Sequence, residues 1–149
     1  GSPSEFAHAE HLIIESTFGL PVYHFLEREE AATRILAFAR ECLEDGATPV
    51  FTGYALGRGQ EIARVLGEAG VPVMVHGAIA KYIPVYERAG YQFGDWREYR
   101  AGEIAGKALV LVPGMKRTLE ARGVDLRHAY VSGWAAMDNA RLRSGAETL

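Results

Sequence analysis

The side chains that could take part in chemistry lie where predicted strands end. They are Glu15, Arg58, His76 and Trp134. In open parallel α/β sheets, ligands bind at the carboxyl ends of the strands, so these positions form the candidate site. The five histidines and the single cysteine, Cys42, form no closely spaced group with carboxylates. The sequence therefore predicts no metal site in this chain.

The segment Gly57-Arg58-Gly59 opens a predicted amphipathic helix. Two glycines allow unusual backbone angles, and the free N–H groups and dipole of a helix start favour anions such as phosphate. Contact between Arg58 and a phosphodiester is therefore one interpretation. An ion pair between Arg58 and a nearby acid is the other, and the sequence leaves both open.

Other candidates could serve in binding or in packing, and for His76 and the cluster around Trp96 the packing interpretation is favoured. His76 follows a buried strand and could face a cleft or be a hydrogen-bonded loop histidine. Trp134 follows the last predicted strand and could stack on a base or line a seam with another domain. A further cluster interleaves aromatic and basic side chains, as proteins that bind single strands do, or packs against a larger protein. Its members are Trp96, Arg97, Tyr99 and Arg100.

Hydrophobic patterning places these residues on alternating strands and helices. Strands are predicted over 12–14, 48–52, 71–75, 107–112 and 129–131, with 91–100 a loop or short edge element. Helices are predicted over 27–44, 57–69, 78–89 and 115–122, with Pro84 kinking or splitting the third. The alternation predicts an α/β fold, a small doubly wound, Rossmann-like parallel sheet of about four strands with helices on both faces.

Composition sets limits on partners and compartment. The length of 149 residues suits one domain, and the net charge of -3 gives no overall cationic field. Binding of nucleic acid would therefore need a local basic patch. The lone Cys42 excludes an internal disulfide and favours a reducing, cytoplasmic location. No apolar run reaches the roughly 18 residues that span a bilayer, so no membrane association is expected.

Several segments resemble the β-CASP part of nucleases with a metallo-β-lactamase fold. Leu12-Ile13-Ile14-Glu15-Ser16-Thr17-Phe18-Gly19 resembles the Glu-Ser-Thr-Tyr-Gly signature of that family, with Phe18 in place of the usual Tyr. Ala55-Leu56-Gly57-Arg58-Gly59-Gln60-Glu61 is similar to its Ala-Leu-Gly-Arg-Ala-Gln-Glu segment. Three further segments resemble the bacterial exonuclease branch associated with DNA ligases, which is akin to mRNA 3′-end processing enzymes: His76-Gly77-Ala78-Ile79, Gly94-Asp95-Trp96-Arg97 and Val131-Ser132-Gly133-Trp134.

The resemblance implies a substrate-binding cap of a zinc-dependent nuclease, an exonuclease that hydrolyses phosphodiester bonds in DNA or RNA. Residues 1–6 resemble a cloning remnant, 7–26 a strand and linker from a metallo-β-lactamase domain, and 27–149 the β-CASP domain. The zinc pair would belong to that other domain. This chain alone is expected to be inactive and to bind a nucleic-acid strand weakly or not at all.

The resemblance also implies partners. They are the metallo-β-lactamase domain, a DNA or RNA strand, and a DNA ligase or helicase. The surface that would face the metallo-β-lactamase domain is expected to be apolar, which would favour dimers of this chain.

The resemblance assigns roles to individual residues. Glu15 is expected to orient a histidine beyond Leu149 that protonates the leaving oxygen, since a carboxylate fixes the tautomer of an imidazole and favours its protonated form. The alternative is a glutamate that only caps a turn. Substrate contacts are expected from Gly57, Arg58, Gly59, His76 and Trp134. The alternative function is a stand-alone Rossmann-like module that binds a small phosphorylated ligand or nucleotide at the helix start near Gly57.

Overall fold

The computed structural model describes residues 7–20, 25–115, 125–132 and 147–148. The helices in this part of the chain are α1 Arg28–Glu44, α2 Arg58–Glu68, α3 Gly77–Ala80 and α4 Ile83–Arg88. The strands are β1 Thr48–Thr52, β2 Val73–Val75, β3 Trp96–Glu98, β4 Ala108–Leu111, β5 Leu126–Tyr130 and β6 Glu147–Thr148. None of the helices in these residues combines the length and the apolar composition that a membrane-spanning helix requires.

The strands form one sheet in the order β3-β2-β4-β1-β5-β6, and every neighbouring pair is parallel. The α/β class with a doubly wound parallel sheet is therefore confirmed. Because the strands are parallel, their carboxyl ends share one edge of the sheet, and the loops that follow them meet there. We refer to this as the carboxyl edge.

Both faces of the sheet are buried. Val50 and Phe51 are neighbours in β1 but belong to different hydrophobic clusters, because successive side chains of a strand point to opposite faces. The larger cluster packs helix residues against one face of the sheet: Ile35, Phe38, Ile62, Leu66, Ile79 and Ile83. On the other face, Ile104 from the β3–β4 connection packs with strand residues: Val50, Met74, Leu109 and Leu111.

Several predicted elements agree closely with the structure. The β1 strand has the predicted bounds, and α1 and α2 differ from theirs by a residue at one end or both. The helix predicted over 78–89 is split as expected, since α3 ends at Ala80 and α4 begins at Ile83 with Pro84 in its first turn. Proline tolerates the first turn of a helix and breaks a helix interior.

Other predictions need correction. The strand predicted at Leu12-Ile13-Ile14 is wrong: these residues have no strand structure, and Ile13 is fully exposed. A strand needs a neighbour to pair its N–H and C=O groups, and no strand of the described sheet pairs with this run. The sheet has six strands in the described residues rather than about four, because β3 and β6 are too short to show a hydrophobic period. The predicted helix over 115–122 lies, beyond Met115, outside the described residues.

A close approach of two backbones fixes the position of the loop before β3. A Cβ atom on Gly67, in the last turn of α2, would lie 1.8 Å from the carbonyl oxygen of Phe93. Gly94 has φ +63°, and a Cβ there would lie 2.4 Å from the oxygen of Gly67. This contact holds Phe93 in the core at 2% exposure, directly ahead of β3.

We predict that Gly67→Ala destabilises the fold by about 3 kcal/mol or more, because the clash is with backbone and cannot be relieved by a rotamer change. Urea denaturation measures the free energy of unfolding. Gly70→Ala is the control: unlike Gly67, Gly70 has a positive φ of +76°, but nothing lies within 4 Å of its Cβ, so a loss of only about 1 kcal/mol is expected. Equal losses in the two variants would contradict the close-approach explanation.

Candidate functional site

Backbone hydrogen bonds fix the first residues after the strands to the carboxyl edge. The N–H of Gly53, after β1, donates to the carbonyl of Leu111 in β4 at 3.0 Å. The N–H of His76, after β2, donates to the carbonyl of Val110 at 2.9 Å. The segments that begin at Gly53 and at His76 therefore lie at the same edge of the sheet, as the sequence predicts.

The buried side chain of Gln60 joins these two segments. It is 1% exposed, and its Nε2 donates to the carbonyls of Ala55 at 2.8 Å and Ile79 at 3.0 Å. Its Oε1 accepts the N–H of Gly57 at 2.8 Å. One amide thus fixes the loop between β1 and α2 against α3. Sequence reasoning did not single out Gln60, although it lies within the segment that resembles the family motif.

Gly57 and Gly59 have structural reasons to be glycine. Gly57 has φ +85°, and a Cβ on Gly59 would lie 2.9 Å from the oxygen of Tyr54 and from the side chain of Ile79. The N–H of Gly57 donates to Gln60, and that of Gly59 donates to the carbonyl of Tyr54 at 2.9 Å. Both N–H groups are therefore used within the protein, and an anion at this helix start would have to bind through other donors.

Arg58 forms the ion pair that the sequence left open. Its Nη1 lies 2.6 Å from Oε2 of Glu61, and Nε of Arg28 lies 3.1 Å from Oε1 of the same carboxylate. Two guanidinium groups share one carboxylate, which leaves a local charge of about +1. The Arg58 side chain is 39% exposed, and such partly exposed pairs contribute about 1 kcal/mol or less. The pair therefore leaves Arg58 able to contact a phosphate, and that role stays a prediction.

His76 caps α3. Its Nδ1 accepts the N–H of Ala78 at 3.1 Å, so the neutral ring carries its hydrogen on Nε2. The ring is half-buried at the carboxyl edge. A hydrogen-bonded loop histidine is thus the arrangement that the structure contains, while a contact between Nε2 and substrate stays a prediction.

Tyr54 and Tyr130 form a pair that sequence reasoning missed. They follow β1 and end β5, which are neighbouring strands, and their hydroxyl groups are hydrogen-bonded. The negative charge that Tyr130 would carry, together with this hydrogen bond, raises the pKa of the Tyr54 hydroxyl. Tyr54 is 56% exposed, so its ring is open to a base or sugar. The sequence feature that could have indicated Tyr54 is an aromatic residue close behind a predicted strand.

Glu15 lies in an exposed turn. Its carboxylate accepts hydrogen bonds from the hydroxyl of Thr17 and from the N–H of Thr17, the latter at 2.6 Å. These two hydrogen bonds lower the pKa of Glu15 below its ordinary value, and the bond from the hydroxyl has the larger effect. Both bonds are local, so the described contacts do not join Glu15 to the carboxyl edge. In the described structure Glu15 therefore caps a turn, and its catalytic role stays a prediction.

Trp134 lies outside the described residues.

The resemblance implies a zinc pair that would belong to another domain of the same protein. Among residues 7–20, 25–115, 125–132 and 147–148, no three His, Cys, Asp or Glu side chains come close enough to hold a metal ion. These residues do not fit a zinc pair, and no chemical step through zinc is derived for them.

Comparison with known proteins gives two relatives, and no family model matches the chain. The chain is 34% identical over 134 residues, 89% of its length, to a probable DNA ligase of Opitutus terrae. It is 34% identical over 82 residues, 51% of its length, to the transcription termination factor FttA of Thermococcus kodakarensis. Both relatives bear the names of proteins that act on nucleic acids. Each match spans 13% of the relative's own length, so the chain corresponds to a small part of either protein.

We predict that Gln60→Leu lowers the free energy of unfolding by about 2 kcal/mol, because buried partners of the amide lose their hydrogen bonds. Hydrogen exchange of residues 53–57 should also become faster. Gln92→Leu is the matched control at an exposed position and should change stability by about 0.5 kcal/mol or less. Unchanged exchange in Gln60→Leu would show that the amide does not fix the loop.

We predict that Thr17→Val raises the pKa of Glu15 toward its ordinary value, since the hydroxyl donor is lost while the N–H donor remains. Because the folded pKa is depressed, the stabilisation of this turn is present above the ordinary pKa and is lost as pH falls through the depressed value. NMR titration of the Glu15 carboxyl carbon measures the shift. Ser16→Ala should leave it unchanged, and an unaltered pKa in Thr17→Val would contradict the assignment.

Proposed function

We propose that this chain is the β-CASP cap of a metallo-β-lactamase-fold, zinc-dependent nuclease and that it holds a DNA or RNA strand against a zinc centre elsewhere in the same protein. The observation that carries the proposal is the position of the segment resembling the family's Ala-Leu-Gly-Arg-Ala-Gln-Glu motif. That segment lies at the carboxyl edge, and the buried Gln60 fixes it there. Ligands of parallel α/β folds bind at this edge.

The carboxyl edge offers the two kinds of contact that a single strand requires. Arg58 supplies positive charge for a phosphate, because it and Arg28 share the single carboxylate of Glu61. Tyr54 supplies an exposed ring on which a base can stack. Since the whole chain carries a net charge of -3, binding depends on this local arrangement rather than on an overall field.

The relatives support a role within a larger protein that acts on nucleic acid. The match to the probable DNA ligase covers 89% of this chain but 13% of the ligase. The proposed cap would likewise be a module of this size within a longer polypeptide. An association with a DNA ligase or helicase, and the exonuclease rather than endonuclease mode, are parts of the proposal that follow from the resemblance.

Residues 7–20 are proposed to belong to the junction with the metallo-β-lactamase domain. Leu12 and Ile14 are 76% and 71% exposed, and Ile13 is fully exposed, so three consecutive apolar side chains face solvent. A strand of another domain would pair with this run and cover it. Glu15 follows directly, and its lowered pKa keeps the carboxylate ionised at neutral pH, as orienting an imidazole requires.

The alternative function, binding of a small phosphorylated ligand at the start of α2, gains no support from the geometry. The N–H groups of Gly57 and Gly59 donate to Gln60 and Tyr54 and are not free to surround a phosphate.

We predict that Glu15→Gln in the intact parent protein lowers kcat for cleavage of a labelled oligonucleotide about 10²-fold, because the partner histidine loses the charge that favours its protonation. Zinc content and KM should change little. Glu10→Gln, in the same exposed segment, is the matched control and should cleave normally. Metal analysis of the 149-residue chain alone should give no stoichiometric zinc.

Two results would overturn this proposal. One is a parent protein that cleaves no oligonucleotide, and the other is a Glu15→Gln variant with the kcat and pH profile of the Glu10→Gln control. The residues that flank this chain in its gene give a further check, since a His-x-His-x-Asp-His segment should precede it and a Ser-Asp-His-Ala-Asp-like segment should follow it.

A further inference from the structure

A pocket lies beside β3, the strand at one end of the sheet. Its volume is about 750 Å³, within the roughly 300–1,000 Å³ typical of ligand sites. Gly77 and Lys81 border it from the side of α3, Trp96 and Arg97 from β3, and Arg100 from the segment that follows. We call it the β3 pocket.

The cations of the β3 pocket are weakly paired. Nε of Arg97 is 3.8 Å from Oδ1 of Asp95, beyond hydrogen-bonding distance, and the Arg97 side chain is 66% exposed. Arg100 is exposed, and its guanidinium has no hydrogen-bond or ion-pair partner among the residues that the structure describes. Elsewhere, carboxylates lie 2.6–3.1 Å from five other arginines: Arg28, Arg34, Arg58, Arg64 and Arg127.

Carboxylates also line the β3 pocket but do not outnumber the cations. Lys81, Arg97 and Arg100 line it together with Glu98 and Glu103, and Asp95 near Arg97 makes the numbers of positive and negative groups equal. The Lys81 ammonium lies 4.8 Å from the ring centre of Tyr82, a contact that leaves its N–H donors available. An anion that accepts hydrogen bonds from the two guanidinium groups would supply the close partners that they lack among the described residues.

Trp96 supplies a fixed aromatic wall. Its Nε1–H donates to Oε1 of Glu87 in α4 at 3.2 Å, and the ring packs against the larger hydrophobic cluster. The indole is half-buried and already oriented, so stacking on a flat ligand would require little reorganisation. An aromatic wall beside guanidinium groups that have no close hydrogen-bond partner suits a nucleotide better than an acidic peptide, which has charge but no ring to stack.

We infer that the β3 pocket binds one nucleotide of a single-stranded nucleic acid, with the base against Trp96 and a phosphate at Arg97 and Arg100. This inference rests on the proposed function and adds a second contact for the same strand. The strands β1 and β3 are three inter-strand spacings apart in the sheet, about 14 Å. A strand held at Tyr54 would therefore reach the pocket within about four stacked nucleotides of roughly 3.4 Å each.

The test is NMR titration of the 149-residue chain with oligodeoxythymidylate at low salt, where weak binding is still measurable. The Trp96→Phe variant lacks one of the two indole N–H cross-peaks of the chain and so assigns the cross-peak of Trp96. That peak should shift saturably, with a Kd of about 10⁻⁴ M or tighter. The double variant Arg97→Gln, Arg100→Gln should bind about tenfold more weakly than the unsubstituted 149-residue chain, and the slope of log Kd against log salt concentration should be smaller by about 1.4.

Matched variants separate the pocket from general charge effects. Arg34 is an exposed arginine on α1, and the Kd of Arg34→Gln should lie within about twofold of the Kd of the unsubstituted 149-residue chain. Trp96→Phe should retain more affinity than Trp96→Ala, with circular dichroism confirming that both are folded. Polyglutamate should compete at least about tenfold less well than the oligonucleotide, because it cannot stack.

The inference is overturned if the double variant binds as Arg34→Gln does, if polyglutamate competes equally, or if no oligonucleotide shifts the Trp96 signal. If Arg58→Gln abolished binding while the Arg97→Gln, Arg100→Gln variant bound normally, the proposed function would stand and the β3 pocket would not be the binding site. Failure of the proposed function is detected separately, by the Glu15-dependent cleavage assay on the parent protein.

Discussion

The arrangement of the carboxyl edge depends on one buried amide, that of Gln60. Its three hydrogen bonds join the loop after β1, the start of α2 and the short helix α3. A buried amide must find partners for both its donor and its acceptor groups, and here each partner belongs to the backbone of a segment that carries candidate site residues. The positions of Tyr54, Arg58 and His76 therefore follow from a residue that need not touch a ligand.

The arginines on the surface of this protein differ in how closely carboxylates pair with them. Around α2, carboxylates neutralise most of the guanidinium groups at short distances, and the remaining positive charge at Arg28, Arg58 and Glu61 is shared. Beside β3, the guanidinium groups of Arg97 and Arg100 lack close partners among the described residues. The net charge of -3 does not reveal this difference, because it sums the charges of the chain without regard to the distances between them.

The segment before α1 shows the limit of local patterning. Leu12-Ile13-Ile14 has the composition of a strand, yet it is exposed and unpaired in the described structure. β-propensity reflects how a side chain fits a pleated, half-buried surface, and that surface exists only when a neighbouring strand supplies it. The turn from Glu15 to Thr17 forms without such help, because its hydrogen bonds join residues two positions apart.

The sequence by itself determined the elements whose signals are local. The apolar period of α1 and α2, the β-branched core of β1 and the break at Pro84 all arise within a few residues of one another, and the parallel α/β class follows from their alternation. The short edge strand β3 falls within the predicted edge element 91–100, whereas tertiary structure alone decided the strand order, the short strand β6, the burial of Gln60 and the Tyr54–Tyr130 pair. Each of these depends on contacts between residues distant in sequence, whose free energy is not encoded in any short window of the chain.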